Sequence, residues 1–290
     1  MIKKIFLFLT FVFGLFSNFS FAYEPFLTDD ASTVAKGKNQ VDFYYYNIFN
    51  KAGDNPDPSS KPLNTVIDIN IPGEEFIGAD RAIGFPMGYT RGISDTTEAS
   101  IGVTYYGFPT GAYTPFTNYN IGLKHRFFGD ASDGYSFAIK PMLTFPSNTD
   151  HQSAGLGMAL TGYGVNFIGS YDKEDYTLLF NFVYQHQPYN TNYSVAGSFD
   201  PLRTDLYQLS FAPIWNFNSK LHLGLDLGLV TNVVVADDQK YNYYAMAAIT
   251  YQPVEDIDLG ISYLRVAANF RDEFSTGYSS IFKLGISYRF

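Results

Sequence analysis

The feature that most constrains the fold of this chain is a strict alternation of apolar and polar residues. In residues 221–229 every second position is a leucine, and the positions between hold histidine, glycine or aspartate. Successive side chains of a β-strand point to opposite faces, whereas a helix would distribute these leucines around its circumference. The segment therefore predicts a strand with one apolar face and one polar face.

Twelve segments of the chain carry comparable patterning. Each is near or above the roughly 9–11 residues that a tilted strand needs to cross a bilayer. Glycine makes the second and sixth the least regular, and Pro86, Pro141 and Pro213 lie where a sheet would lose a ladder hydrogen bond. The predicted strands cover residues 39–50, 80–93, 96–108, 117–129, 135–146, 156–171, 175–187, 204–216, 220–232, 240–252, 256–268 and 277–290.

The predicted connections alternate between short and long. The short ones span residues 94–95, 130–134, 172–174, 217–219 and 253–255, and the long ones span 51–79, 109–116, 147–155, 188–203, 233–239 and 269–276. Outer-membrane barrels combine an even number of strands with short periplasmic turns and longer outer loops. We therefore predict an all-β fold, a transmembrane antiparallel up-and-down β-barrel of about 12 strands over residues 39–290. A soluble β-sandwich, the alternative, need not show this alternation.

Composition fits a barrel wall in contact with lipid. Aromatic residues make up 18% of the chain and charged residues 16%, against roughly 25% charged residues in soluble domains. The absence of cysteine excludes a disulfide framework, a thiolate metal site and a cysteine nucleophile. The net charge of −9 argues against nucleic acid as a partner. We predict outer-membrane lipid as a partner, and no metal or other cofactor.

The N-terminus has the pattern of a secretory signal. Two lysines at positions 3 and 4 precede an apolar run over residues 5–16, and small residues precede a cleavage point after Ala22. We predict that residues 1–22 are a cleaved signal peptide. An uncleaved membrane helix is the alternative, but the run is shorter than the roughly 20 residues of a span. Residues 23–38 are too polar for a membrane strand and are predicted to lie in the lumen or the periplasm.

The chain ends on an alternating strand with a terminal aromatic residue. This end resembles the sorting signal of outer-membrane β-barrels, which their assembly machinery reads. The resemblance rests on Lys283, Gly285, Tyr288 and Phe290. It implies the barrel-assembly machinery as a partner and the outer membrane of a Gram-negative bacterium as the location.

A second resemblance begins at the mature N-terminus. Residues 25–31 read Pro-Phe-Leu-Thr-Asp-Asp-Ala and are followed by Gly37-Lys38; residues 92–98, Thr144-Phe145-Pro146 and the glycines around 155–157 extend the match. The pattern resembles the outer-membrane proteins grouped under the MetA pathway of phenol degradation, although Ser147-Asn148 stands where Thr-Gly is expected. The resemblance implies a barrel that acts as a channel for hydrophobic compounds.

Several charged residues are predicted to face the lumen. Lys124 points inward on the fourth strand, and hairpin geometry places Lys140 roughly opposite. Arg126 lies one step nearer the periplasm, within reach of Glu98. The cluster is either an ion-pair network that fills the interior or a constriction that steers anionic or polar solutes. Acids available elsewhere in the lumen to neutralise it are Asp226 and Asp258.

The leading functional hypothesis is facilitated diffusion of small hydrophobic or aromatic molecules through the outer membrane. It rests on the family resemblance and on tyrosines predicted to face the lumen: Tyr44, Tyr46, Tyr106 and Tyr244. The alternatives are a narrow porin for polar solutes and a structural or adhesive barrel that transports nothing. A wide, charged lumen favours the porin, and a lumen closed by packed side chains favours the structural barrel.

Signs of enzymatic chemistry are sparse, and we predict that the chain is not an enzyme. His151 and Ser153, with the later Asn166, resemble the residue pattern of outer-membrane phospholipase A, but Asn-Gly does not follow the serine. A serine nucleophile needs an adjacent base and an orienting third group. Asp29 and Asp30 supply too few ligands for Ca²⁺ and are interpreted as a solvated turn.

Overall fold

The computed structural model forms a closed antiparallel β-barrel of twelve strands, which confirms the predicted fold class. The structure describes residues 25–51, 81–108, 114–130, 134–154, 157–193, 202–232, 240–267, 270–271 and 278–290. The strands are β1 (Asn39–Lys51), β2 (Arg81–Ser94), β3 (Thr97–Phe108), β4 (Phe116–Phe128), β5 (Gly134–Thr144), β6 (Gly162–Asp172), β7 (Tyr176–His186), β8 (Asp205–Asn218), β9 (Leu221–Thr231), β10 (Tyr241–Val254), β11 (Ile257–Ala267) and β12 (Tyr278–Arg289). A short helix, α1 (Thr149–Ala154), lies between β5 and β6. No helix in the described part of the chain is both long and apolar enough to cross a membrane.

The barrel closes between its first and last strands. Every strand pairs with its sequence neighbours, and β1 pairs with β12 without interruption from Gln40 opposite Arg289 to Lys51 opposite Tyr278. Closure leaves no unpaired sheet edge. We call the end that holds both barrel termini and the turns such as 95–96 the short-turn end, and the opposite end the long-connection end.

Side chains alternate across the wall as the sequence predicted. On β9, Leu225 and Leu227 are 42% and 43% exposed on the outer face, whereas Asp226 between them is fully buried inside. Aromatic rings on the outer face contact each other across strands; the centroids of Phe43 and Phe85, for example, are 6.1 Å apart. The outer face is therefore apolar and aromatic, which suits a lipid environment.

The three prolines inside strands interrupt the sheet on one side only. The β1–β2 ladder has a gap at Pro86, the β4–β5 ladder at Pro141 and the β8–β9 ladder at Pro213. The neighbour on the other side of each proline stays paired. A proline has no N–H to donate, so it removes ladder bonds toward one neighbour while the barrel remains closed.

The sixth strand begins later than the sequence predicted, at Gly162 instead of residue 156. Backbone groups ahead of it bond to the β5–β6 connection: the Met158 carbonyl accepts the Ser147 N–H at 2.7 Å, and the Ala159 N–H donates to Gln152 Oε1 at 3.1 Å. These groups are therefore not available to a sheet ladder. Helix α1 occupies the same connection, where the sequence indicated only a loop.

The free-energy cost of placing a charge on the outer face of β9 tests the assigned register and depth of this strand. Leu225→Arg places a charge on the outer face near the middle of the strand and should cost about 2–4 kcal/mol of folding free energy. Leu221→Arg, at the short-turn end of the same face, is the matched control and should cost about 0–1 kcal/mol. Urea unfolding in lipid vesicles, followed by heat-modifiable gel mobility, measures both. Equal costs would contradict the assigned depth.

Candidate functional site

The N-terminal segment lies inside the barrel. We call residues 25–34 the lumen segment; Phe26, Leu27, Thr28, Asp30 and Ala31 are each 0–3% exposed. Residues 35–38, which connect it to β1, are exposed. Of the two locations that the sequence left open for residues 23–38, residues 25–34 therefore occupy the lumen.

One end of the lumen segment is held by the carboxylate of Asp226. Its Oδ2 accepts the backbone N–H groups of Leu27 and Thr28, both at 2.8 Å. Its Oδ1 accepts the Thr28 hydroxyl at 2.8 Å and the Tyr244 hydroxyl at 2.9 Å. Gly224 makes room beside this anchor, because a Cβ there would lie 2.5 Å from Cζ of Phe26. Hydrogen bonds to an ionised acceptor are stronger than neutral ones, so Asp226 is a firm attachment point.

Further along, the segment joins a group that we call the lysine–carboxylate cluster. Lys124 Nζ lies 3.2 Å from Asp29 Oδ1, 3.8 Å from Asp30 Oδ1 and 3.2 Å from Glu98 Oε1. Lys140 Nζ lies 2.9 Å from Asp29 Oδ2. Asp29 of the lumen segment thus bridges the lysines of β4 and β5, and Glu98 of β3 pairs with Lys124 directly. Buried charges are tolerated when each is paired and hydrogen-bonded, as here.

Backbone groups of the segment are bonded to the wall as well. The amide oxygen of Asn181 accepts the Asp29 N–H at 2.5 Å, and its Nδ2 donates to the Asp29 carbonyl at 3.1 Å. Glu98 Oε2 accepts the Val34 N–H at 2.6 Å. The contacts run from β9 through β7 to β3, so the segment crosses the lumen.

The two adjacent aspartates have opposite pKa shifts. Burial alone would raise the pKa of Asp29, but the ammonium groups of Lys124 and Lys140 outweigh it and lower that pKa below its ordinary value. Burial raises the pKa of Asp30 to about 7; Lys124 partly offsets this, while Asp29 and Glu98 repel its negative charge. Asp30 therefore takes up a proton in the folded state at pH values where an exposed aspartate would be ionised.

The structure does not bring every predicted charge into the cluster. Lys124 and Lys140 face each other as the hairpin geometry predicted. Arg126 does not reach Glu98, because the β3–β4 register places Glu98 directly opposite Lys124. The Arg126 guanidinium donates instead to the carbonyls of Asp130 and Asp95, at 2.8 and 2.9 Å.

The acids proposed to neutralise the cluster have other partners. Asp226 binds the start of the lumen segment, and Asp258 is paired with Arg289 at 2.5 Å. Neutralisation comes from Glu98 and from Asp29 and Asp30. The sequence pattern around the two aspartates had indicated only a solvated turn. The sequence did indicate that such acids are needed, because two lysines directly opposed on a sheet require acidic residues nearby.

All four predicted lumen tyrosines point inward and are 2–3% exposed: Tyr44, Tyr46, Tyr106 and Tyr244. Two residues of the C-terminal sorting resemblance share this interior. Lys283 Nζ lies 4.9 Å from the centroid of the Tyr46 ring, and a Cβ at Gly285 would overlap the ring of Tyr44. Gly285 therefore provides the space that Tyr44 occupies.

The other two residues of that resemblance lie outside the lumen. Tyr288 and Phe290 stack with ring centroids 5.5 Å apart. Phe290 and Asn39 exchange both backbone hydrogen bonds, at 2.8 and 3.0 Å, beside the β1–β12 seam. The terminal residue thus contributes its backbone to closure and its ring to the outer face.

The residues considered for catalysis do not come together. His151 is buried in α1, where its Nε2 lies 2.7 Å from the Thr114 carbonyl, while Ser153 is exposed. Residues two apart on a helix point to different sides. Asn166 faces the lumen from β6. The sequence did not single out Gln152, which is fully buried and joins the backbone of a neighbouring connection at Asn190 and Tyr193.

Comparison with known proteins identifies the architecture. No protein-family model matches the sequence, and no curated protein matches it. Among solved structures, an outer membrane channel from Pseudomonas putida F1 is similar with a TM-score of 0.60, at 10% identity over 90% of this chain and 98% of that chain. The NanC porin is similar with a TM-score of 0.52, at 14% identity over 85% of this chain and 98% of that chain. At these identities the likeness shows the fold alone.

The pKa shift of Asp30 predicts how stability responds to pH. Between the ordinary aspartate pKa of about 4 and the folded-state value of about 7, the folded protein binds more protons at Asp30 than the unfolded chain does. The Asp30 contribution to stability is therefore present at the low end of this window and is lost as pH rises through it. In the Asp30→Asn variant, this decrease of stability with rising pH should be absent. Thermal unfolding in detergent, repeated at pH values between the two pKa values, measures it.

Asp29→Asn is the matched control for this experiment. The Asp29 pKa is lowered, so its contribution is present above the ordinary aspartate pKa and is lost only at more acidic pH. The control variant should be less stable than wild type across the whole window and should retain the dependence due to Asp30. A pH profile of Asp30→Asn that matches wild type would contradict the assignment.

The C-terminal resemblance also predicts a biogenesis defect. Phe290→Ala keeps the backbone bonds to Asn39 and removes only the ring, so outer-membrane levels should fall while periplasmic degradation rises. Phe217→Ala removes another outward aromatic ring, 64% exposed near the short-turn end, and is the control. If both variants accumulate equally, the terminal ring has no specific role in sorting.

Proposed function

We propose that this chain is an outer-membrane channel for facilitated diffusion of small hydrophobic or aromatic molecules. Its location would be the outer membrane of a Gram-negative bacterium, reached with a cleaved signal peptide over residues 1–22 and the barrel-assembly machinery. Residues 1–24 lie outside the described residues. The support for the signal peptide is therefore the sequence pattern alone.

The observation that carries the proposal is the lining of the long-connection half of the barrel. The lumens of water-filled porins are polar. Here several inward positions of that half are apolar and buried: Ile48, Val183, Leu206, Val230, Leu264, Val266 and Ile281. Buried polar side chains lie between them, among them Asn166, Gln185, Gln208 and Asn242. Such a lining offers a molecule with apolar surface the transfer free energy that it gains on leaving water. The lumen tyrosines add rings with a hydrogen-bonding edge.

The charge arrangement disfavours the alternative of a porin that steers polar anions. Such steering needs an excess of positive charge at the constriction. Lys124 and Lys140 are instead paired with Asp29, Asp30 and Glu98. The cluster therefore supports the interpretation as an ion-pair network that holds the lumen segment.

The names of similar structures agree with a channel. The Pseudomonas putida protein is described as an outer membrane channel and NanC as a porin. The resemblance to the proteins of the MetA pathway of phenol degradation adds the expectation of a hydrophobic solute. These likenesses support the proposal together with the apolar lining, and they do not assign a substrate.

A structural barrel without transport is the second candidate, and a specific observation favours it. Phe26 and Leu27 of the lumen segment belong to one buried apolar cluster with side chains from both halves of the barrel, including Leu179, Met246 and Ile281. A solute can cross only if the lumen segment shifts or a path opens beside it. The two candidates therefore differ in whether the segment moves.

A reversible cross-link tests this difference. The chain contains no cysteine, so an introduced pair has no competing thiol. Ala31 N donates to Ser170 Oγ at 2.9 Å, so the two positions are adjacent, and Ala31→Cys with Ser170→Cys is the pair chosen to lock the segment to β6. Proteoliposomes are assayed for swelling with resorcinol, a pentose and acetate, and protein-free liposomes correct for direct permeation.

We expect wild type to pass resorcinol faster than the pentose or acetate. The oxidised double variant should lose this flux and regain it on reduction, while the single variant Ala31→Cys should behave as wild type under both conditions. Flux that persists in the locked barrel would place the path beside the segment. If the folded wild-type barrel passes none of the three solutes, the channel proposal is rejected and the structural barrel stands.

A further inference from the structure

Three amide side chains point into the lumen around Val183. Asn166 of β6 and Gln208 of β8 pair with Val183 from opposite sides, and Gln185 lies two residues further along β7 on the same face. We call these three side chains the amide row. Asn181, which binds the lumen segment, lies two residues before Val183 on that face. The amide row is therefore next to the lumen segment on its long-connection side.

The amide row is buried without sufficient hydrogen-bond partners. Asn166, Gln208 and Gln185 are 0%, 1% and 9% exposed. Within the described part of the chain, neither amide atom of Asn166 or Gln208 has a partner, and Oε1 of Gln185 also has none. Nε2 of Gln185 donates to Gln187 at 2.7 Å. Five polar atoms of one lumen patch are thus left unbonded.

This arrangement is unfavourable for the barrel by itself. Buried polar groups in folded proteins are almost always bonded, and an apolar side chain of the same shape would be less costly at these positions. The lumen segment shows the contrast, because its polar groups are bonded to Asp226, Asn181 and Glu98. The amide row stays unbonded beside this bonded region. We therefore expect a ligand to supply its hydrogen bonds.

The surroundings define the chemistry of that ligand. Lys140 pairs with Asn166 in the ladder, but its ammonium group is bonded to Asp29, so the described residues around the patch offer no unpaired charge from this lysine. Val183 and Val230 beside the amides are apolar and 0–1% exposed. A neutral molecule with an apolar body and a hydroxyl or carbonyl group matches both features, since amides donate and accept hydrogen bonds.

We infer that the amide row is a solute-binding site for neutral, hydroxyl- or carbonyl-bearing small molecules, which deepens the proposed channel function and rests on it for its role in transport. The three amides bond the polar group while the neighbouring valines contact the apolar body. The site selects among the hydrophobic solutes those that carry one neutral polar group.

Binding of fluorinated probes tests this inference without requiring transport. The purified barrel in nanodiscs is titrated with para-fluorobenzyl alcohol, para-fluorotoluene and para-fluorobenzoate, followed by fluorine NMR, with empty nanodiscs subtracted. We expect saturable binding of the alcohol and weaker binding of the other two. Asn166→Leu and Gln208→Met should each weaken alcohol binding by about fivefold for each hydrogen bond lost, and leave para-fluorotoluene unchanged.

Stability measurements separate a binding site from a structural role. Removing an unbonded buried amide should leave the urea midpoint of Gln208→Met equal to or above that of wild type. Gln252→Met is the matched control: its Nε2 donates to the Glu255 carbonyl at 3.2 Å near the short-turn end, so this variant should lose stability and keep probe binding. Because Asn166→Leu and Gln208→Met are tested singly, failure of one to fold leaves the other.

The site is rejected if wild type binds the alcohol no better than para-fluorotoluene, or if Gln208→Met loses stability and retains alcohol binding. These outcomes differ from failure of the channel proposal. Wild-type flux of resorcinol without saturable probe binding would reject the amide row and keep the channel. Probe binding that is lost in the amide variants, with no flux of any solute, would keep the site and reject the channel.

Discussion

The ammonium group of Lys124, buried among Asp29, Asp30 and Glu98, is the interaction on which the arrangement of the lumen depends. Removing a charge from water is costly, and breaking a buried pair by deleting one partner typically costs about 3–5 kcal/mol. Lys124 is therefore stabilised at its position by Glu98 of the wall together with the two aspartates of the lumen segment. Glu98 also accepts the Val34 N–H, so the cluster attaches the lumen segment to the wall.

The number of strands explains why such a segment is present. Side chains alone fill the interior of a barrel of about eight strands, whereas about sixteen strands leave an aqueous channel. A barrel of twelve strands lies between these limits. The lumen segment occupies part of this interior, with an apolar start, Phe26 and Leu27, and an acidic continuation. The wall matches this order, with Gly224 and Asp226 at one side and the two lysines at the other.

The sequence was sufficient for the wall but not for the lumen. A period of two needs only local information, so all twelve strands and the inward direction of Asp226 and Tyr244 were predictable. The start of β6 was not predictable, because the side-chain oxygen of Gln152 accepts the Ala159 N–H. That N–H is therefore not available to the sheet ladder. The contacts between residues inside the lumen were not predictable either. Leu27 and Asp226, for example, are 199 residues apart, and no periodicity relates them. Asp29 and Asp30 were interpreted as a solvated turn because the sequence, which did predict that the two lysines face each other, does not place residues 25–34 beside them.

The lumen segment and the amide row differ in how completely their polar groups are bonded, and this difference bears on function. At the lumen segment, the Asp226 carboxylate alone accepts four hydrogen bonds, so the segment is firmly attached to the wall. Beside it, Asn166 and Gln208 are buried and unbonded among the described residues, which lowers the stability of the barrel at these positions. Proteins commonly concentrate such local cost where activity requires it. In the proposed channel, a solute that reached the amides from the long-connection end would still have the bonded segment ahead of it. If the path runs through the segment, the free energy needed to displace the segment would contribute to the barrier to passage.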